Sequence, residues 1–247
     1  MKIVKKILRK IPLVQKEITR LKGPYIEDYL RYLIKKDNQV IIDVGANTGR
    51  TIDSMCTLFK ELKIFAFEPT KELYNDLLLK YQYKENIKIF NKALGEICGK
   101  TEFFKSDYSP TNSILKPDLS LYEKYDKSGK LYNTFRESLQ SDIVDIITFQ
   151  KWYEENLNGN FIDIFKTDTQ GYDYNVIVGI GNVLQNIFLI ITEFHFLNFY
   201  INSKPFYKII EYLYDNNFIL YSIVDIHKVE NLQFLECNAL FVNKSYL

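Results

Sequence analysis

The sequence predicts an α/β fold: a central, mostly parallel sheet of seven strands with helices on both faces and an antiparallel hairpin at the C-terminal end. Three observations lead there. Val40 to Val44 reads as a buried strand, because β-branched apolar side chains suit a parallel strand covered on both faces. Short apolar strands then alternate with helical stretches along the chain, the pattern of βαβ units. The last two strands, Phe218 to Ile223 and Ala239 to Val242, close the sheet as a hairpin. The 247 residues fit a single such domain, and 47% hydrophobic content is enough for one core. A net charge of +1 gives the whole chain no electrostatic footprint for nucleic acid. Cys56, Cys98 and Cys237 are too few and too far apart for a disulfide framework or a metal cluster, which implies a reducing, cytoplasmic setting. No apolar stretch is long enough to span a bilayer.

Residues 1–36 form a basic helical extension ahead of a domain over 37–247. Within 1–22, eight lysines and arginines stand against Glu17 alone, Ile3, Ile7, Leu8, Ile11, Val14, Ile18 and Leu21 recur at helical spacing, and Pro12 kinks the helix. Arg9 and Lys10 interrupt the apolar run, so it is not a signal peptide. Two readings stand: a helix packed on the domain or on a second copy, or one lying on an anionic membrane surface, which would make the protein peripheral at the inner membrane. After Gly23-Pro24 a second helix runs from Tyr25 to Lys36.

Strand Val40–Val44 leads into Gly45-Ala46-Asn47-Thr48-Gly49 and a helix from Thr51 to Lys60. Strand, glycine turn and helix make nucleotide-cofactor geometry: the turn lets backbone approach a ligand, and the helix start offers unpaired N–H groups. The Gly-x-Asn-x-Gly spacing is not that of the dinucleotide fingerprint. Asp43 at the strand end suits a cationic ligand better than a pyrophosphate, and S-adenosylmethionine (SAM) carries a sulfonium and an ammonium. Lys63–Phe67 is the second strand, ending at Glu68-Pro69, where an acid can accept hydrogen bonds from a ribose diol. A helix Lys71–Tyr81 follows, then a third strand, Ile87–Phe90, ending at Asn91-Lys92-Ala93. Lys100–Phe104 pairs with Ile143–Thr148 as an antiparallel excursion. Between them Ser106–Ser141 is long, polar and Tyr-rich, and reads as a lid for substrate. The fourth strand, Phe161–Thr167, ends in Lys166-Thr167-Asp168-Thr169-Gln170-Gly171. A helix over Tyr172–Gln185 is interrupted near Gly179 and Gly181, and the fifth strand, Ile187–Ile191, runs on to Thr192-Glu193-Phe194-His195. Ser203-Lys204-Pro205 opens a helix to Asn217. Asp43, Glu68, Asn91 and Asp168 should share the carboxyl edge of the sheet, where ligands of open α/β folds sit.

Four segments in order, Asp43–Gly49, Phe65–Pro69, Asn91–Gly95 and Lys166–Asp173, resemble the motifs of the FkbM-type methyltransferases, a SAM-dependent family with a Rossmann-like fold. The resemblance implies SAM as cofactor and the class I methyltransferase sheet. It implies a cofactor site at Asp43, Gly45, Ala46, Asn47, Gly49, Glu68, Pro69, Asn91 and Ala93, with Glu68 on the ribose and Asn91 and Ala93 by the adenine. Ser109, Thr111, Asn112 and Ser113 match a Ser-rich patch of the family; Phe149-Gln150 stands where the family has Leu-Asp, so any role of that aspartate is absent or moved.

Methyl transfer is a direct displacement and needs a proton acceptor for a hydroxyl nucleophile. Asp168 and His195 are the candidate bases, Lys166 the candidate orienting cation, and Gln170, Glu193 and Ser113 the candidate acceptor contacts. His227 reads as incidental. Nothing in the histidine and carboxylate spacing demands a metal. The expected function is a SAM-dependent O-methyltransferase acting on a hydroxyl, the resemblance pointing to a sugar of a bacterial surface glycan or a related small molecule. The alternatives are a nicotinamide-dependent oxidoreductase, against which the turn spacing argues, and a non-catalytic SAM-binding scaffold.

Overall fold

The computed structural model describes residues 25–126, 128–157, 159–229 and 233–247. The chain falls into two compact units, 1–35 and 36–247. Residues 1–22, with the proposed membrane or partner contact, lie outside the described residues. Of the first unit, α1 (Ile26–Leu33) is described; its start is held by Asp28, whose carboxylate accepts the Tyr25 N–H at 3.0 Å. It is shorter than the Tyr25–Lys36 helix expected, because Ile34 already takes an extended backbone.

The second unit is built on a seven-stranded sheet in the order β3-β2-β1-β7-β8-β10-β9. Its strands are β1 (Gln39–Val44), β2 (Leu62–Phe67), β3 (Ile87–Phe90), β7 (Ile162–Thr167), β8 (Ile187–His195), β9 (Phe218–Lys228) and β10 (Phe234–Asn243). The first five are mutually parallel, and β10 runs antiparallel between β8 and β9. Strand order reverses at β1, which lies between β2 and β7. Ile42, Phe65, Phe165 and Ile190 of the central strands pack with Phe149, Trp152 and Val176 into one continuous core. Burying that apolar surface is the main force holding the sheet between its helices.

The helices are α2 (Arg50–Leu58), α3 (Lys71–Tyr81), α6 (Phe149–Asn156), α7 (Asp173–Val178) and α8 (Phe206–Asp215). The helix expected over 172–185 stops at Val178 and resumes as a 3₁₀ turn, Gly181–Asn186, whose Asn182 N–H is caught by Gln150 Oε1 at 3.2 Å. Gln150, at the family's aspartate position, thus secures a helix start. A three-stranded sheet, β4 (Ala93–Leu94), β6 (Gln140–Ile147) and β5 (Gly99–Lys105), forms the excursion.

The largest departure from expectation lies between β5 and β6. Ser106–Ser141 is not a bare loop: it holds a 3₁₀ turn (Ser109–Thr111), α4 (Leu119–Tyr125) and α5 (Lys130–Ser138). Tyr122 and Phe135 from these helices are buried together with Phe199 and Tyr200, a satellite core beside the main one. Short helices of this kind are marginal alone and hold through such packing, which the polar composition of the segment conceals.

Candidate active site

The carboxyl edge of the sheet opens into a cavity of about 780 Å³, walled by the β1 turn, the tips of β2, β7 and β8, the 108–131 segment and the β9–β10 hairpin. Its geometry separates into a turn side and a strand-tip side.

On the turn side, Glu68 follows β2 and is 4% exposed. Its carboxylate accepts the N–H of Asn47 and the N–H of Thr70, both at 2.8 Å, one on each oxygen. Burial pushes its pKa above the usual carboxylate range against those two bonds. Each oxygen keeps acceptor capacity, as a diol requires. Ala46, Asn47, Pro69, Ala93 and Leu94 line the same region.

The turn works differently from the sequence expectation. A Cβ on Gly45 would lie 2.1 Å from the Asp168 carbonyl oxygen, and one on Gly49 would lie 2.4 Å from the Tyr81 hydroxyl, both at positive φ. These glycines serve close approach of protein to protein. The N–H groups of Gly45 and Ala46 both go to the Phe67 carbonyl, and that of Gly49 to the Ala46 carbonyl. With the Asn47 N–H on Glu68, these turn amides are committed internally; Arg50 and Thr51, opening α2, face the cavity instead. Asn47 Oδ1 accepts from Ser109 Oγ at 3.1 Å, tying the turn to the segment over it.

Four expected site residues do not reach the cavity: Gly49, which abuts Tyr81, and the three that follow. Asp43 is fully buried in β1, where register places it beside Lys166 of β7. Asn91 donates both amide hydrogens to the carbonyls of Glu68 and Pro69, at 3.0 and 2.9 Å, so it shapes the β2 tip and presents its oxygen alone. Ser113 is buried; its hydroxyl lies 2.8 Å from the Gln170 carbonyl and accepts the Leu115 N–H, which makes it a tether rather than a substrate contact.

On the strand-tip side a polar chain runs through the residues singled out for chemistry. Lys166 Nζ lies 3.5 Å from Asp43 Oδ1 and 3.4 Å from Asp168 Oδ2. Burial works against its charge, but Asp168 and Asp43 outweigh it and raise its pKa. Burial likewise raises Asp168, and the Lys166 charge with the Gln170 amide more than reverses this, so the carboxyl stays below its usual range. Gln170, in a left-handed conformation (φ +54°), donates from Nε2 to Asp168 Oδ1 and to Glu193 Oε2, both at 3.0 Å. A non-glycine residue there costs about 1–2 kcal/mol, so those bonds and the Tyr200 hydroxyl, 3.0 Å from Gln170 Oε1, must hold it.

His195 Nε2 is 2.7 Å from Glu193 Oε2. Burial disfavours the imidazolium, but the adjacent Glu193 carboxylate outweighs it and raises His195 to about 9. Burial, then the charge of Asp168, push Glu193 up to about 7. The pair therefore holds a proton through neutrality, and His195 as a free neutral base is not what the structure presents. Sequence reading also missed two neighbours. Glu236 of β10 and His227 of β9 both line the cavity, with His227 Nδ1 2.8 Å from Glu236 Oε1. His227 is thus not incidental. Only the pairing of β8, β10 and β9 brings these residues to His195, and no sequence spacing announces it.

A sheet in this order, with acids at the tips of β2 and β7 around one cavity, is the architecture of a class I methyltransferase. The chain belongs to the methyltransferase FkbM domain family, whose match covers residues 43–220. The oxidoreductase alternative falls with that membership. Among solved structures, a methyltransferase FkbM from Methylobacillus flagellatus superposes with a TM-score of 0.53 at 11% identity, over 85% of this chain and 45% of that one. This chain therefore spans about half the length of that relative. A fibrillarin from Aeropyrum pernix with natively bound S-adenosyl-L-methionine scores 0.47 at 12% identity, over 87% of this chain and 73% of that one. The Methanococcus jannaschii fibrillarin, a pre-rRNA processing protein, scores 0.48 at 12% identity, over 85% and 68%. At the latter two scores the likeness supports nothing further. No curated protein matches the chain. Among the described residues no helix is long and apolar enough to cross a membrane.

Proposed function

We propose that this chain is a SAM-dependent O-methyltransferase whose acceptor is a hydroxyl of a sugar or a related small molecule. The observation that carries the reading is one cavity with two chemistries: a diol-ready buried carboxylate at Glu68 on the turn side, and an ionised carboxylate at Asp168 beside a protonated pair on the other.

The residues present fit the cofactor. Glu68 would accept hydrogen bonds from the ribose hydroxyls, and Ala93 and Leu94 would give the adenine a small apolar wall; the Asn47–Ser109 bond ties the turn to the segment over it. Bound SAM supplies an electrophilic methyl group on sulfur. The chain does the rest. Asp168, at the cavity wall and 39% exposed, accepts the acceptor hydroxyl's hydrogen bond and takes its proton as the oxygen gains the methyl group. Lys166 keeps that carboxylate ionised, and Gln170 fixes its direction. Holding the hydroxyl in line is worth roughly 7–11 kcal/mol where geometry is good, and a positioned base adds about 10²–10⁴-fold. Tyr108, Tyr125 and Phe199 provide flat apolar surface suited to a sugar ring, which supports the acceptor class. A cytoplasmic setting, and a small molecule or glycan rather than nucleic acid as acceptor, belong to the same reading.

The test is calorimetry with SAM, followed by labelled methyl transfer to a panel of sugars and nucleotide sugars. Saturable heat and label on an acceptor oxygen are expected. No heat with SAM, or label on nitrogen or carbon alone, overturns the reading.

A further inference from the structure

Both histidines of the chain meet carboxylates in one place, and strand pairing puts them there. Glu236 of β10 is paired with His195 of β8 on one side and with His227 of β9 on the other. Residues paired directly across strands share a sheet face, as do residues two apart along a strand, so Glu193 belongs to the same face as His195. The ligand atoms of Glu193, His195 and Glu236 all lie within 4.8 Å of one another. All three line the cavity, with the His195 and Glu193 side chains 10% and 14% exposed.

The row is not what a regular hairpin would give. The β10–β9 pairing shifts register on either side of Glu236, and Asp225, between Val224 and His227, takes a left-handed backbone (φ +52°). Unshifted, Phe234↔Lys228 and Asn238↔Val224 would set Ile226 opposite Glu236; the irregularity substitutes His227. Bulges of this kind re-aim a side chain, often beside a functional site. The result is a Glu236 carboxylate fixed on Oε1 by an imidazole, the arrangement by which an outer partner orients a metal ligand.

We propose that Glu193, His195 and Glu236 form a divalent-cation site on the acceptor side of the cavity, with His227 as the outer residue that positions Glu236. Two carboxylates and an imidazole, without thiolate, suit Mn²⁺ or Zn²⁺. The ion would take the place of the 2.7 Å hydrogen bond between His195 and Glu193, releasing its proton to solvent, with the ligand atoms drawing in to coordination distance. Three protein ligands leave open positions, which a hydroxyl oxygen of the acceptor can fill. That last role rests on the methyl-transfer reading; the site itself does not.

The experiment uses the full chain, stripped with chelator and titrated calorimetrically with MnCl₂ and separately with ZnCl₂, beside a SAM titration of every sample. One equivalent of Mn²⁺ or Zn²⁺ per chain is expected, weakened at least about 100-fold in Glu236→Gln and in His195→Gln, and about 10–100-fold in His227→Gln. SAM heat retained in the variants shows that they are folded. Absence of saturable one-to-one binding of either ion overturns the site, as does binding that Glu236→Gln and His195→Gln leave unchanged. The two readings fail separately. SAM heat and label transfer in chelated protein that binds neither ion would remove the site and leave the enzyme; ion binding without SAM heat would do the reverse.

Discussion

Lys166→Met is the substitution whose consequence follows most directly from the structure. It removes the ammonium 3.5 Å from Asp43 and 3.4 Å from Asp168 while keeping most of the side-chain volume. Asp168 faces the cavity, but Asp43 is fully buried and the Lys166 ammonium is its ion-pair partner. The variant therefore strands a carboxylate inside the sheet. Removing one partner of a buried pair costs about 3–5 kcal/mol, which at this chain length lowers Tm by roughly 6–20 °C. The pH dependence has a definite sign. Burial already raises the Asp43 carboxyl above its ordinary value, with Lys166 opposing, so loss of Lys166 raises it further. Between the unfolded value near 3.9 and that raised value the folded chain binds more protons than the unfolded one. Stability there falls as pH rises. The deficit of the variant should be smallest at the acid end of that interval and grow as pH rises through it, and Asp43→Asn in the same chain should recover part of it. Urea unfolding followed through the single tryptophan, Trp152, which is buried, reads this directly. A midpoint equal to wild type, or a deficit that does not change with pH, refutes the pairing.

Asp168→Asn should reduce methyl transfer about 10²–10⁴-fold with SAM affinity nearly unchanged; wild-type turnover would remove Asp168 from proton transfer. Glu68→Gln exchanges one of the two acceptor oxygens for an amide donor and should weaken SAM roughly tenfold to a hundredfold in calorimetry, about 1.5–3 kcal/mol, and an unchanged affinity would exclude the ribose contact. Gly45→Ala sets a Cβ 2.1 Å from the Asp168 carbonyl oxygen at φ +81°. Left-handed strain of about 1–2 kcal/mol and overpacking of about 1–3 kcal/mol predict a total of about 2–5, seen as a fall in Tm; an unshifted melting curve would show that the β1 and β7 tips do not abut.

Most of the sheet was legible because each strand carries its own local signal. Val40–Val44, Lys63–Phe67 and Ile187–Ile191 are apolar, β-branched and bounded by turn residues, and the five parallel strands emerge where those runs lie. The 106–141 segment was misread for the opposite reason. Its apolar residues, among them Leu119, Tyr122, Leu131 and Phe135, are spread among polar ones. Their burial depends on Phe199 and Tyr200, more than sixty residues further on. A window on the sequence sees the polarity and not the partner.

The two sides of the cavity differ in the same way. Glu68 is readable because the turn that positions it lies one strand earlier and the acid ends its own strand. His227 and Glu236 are not, since what makes them neighbours of His195 is a register irregularity in β9 and the pairing of β10 with β8. The Gly45 turn lies where the sequence indicated, but what requires its glycine is the Asp168 backbone at the tip of β7, the strand paired beside β1 and distant only in sequence. That contact also explains why the two sides form one site. The Gly45 turn shapes the cofactor side, and Asp168 opens the strand-tip side. With the Asp168 carbonyl oxygen seated where any Cβ on Gly45 would be, neither tip can shift without moving the other. The expected consequence is that substitutions in the β1 turn disturb acceptor chemistry as well as SAM affinity.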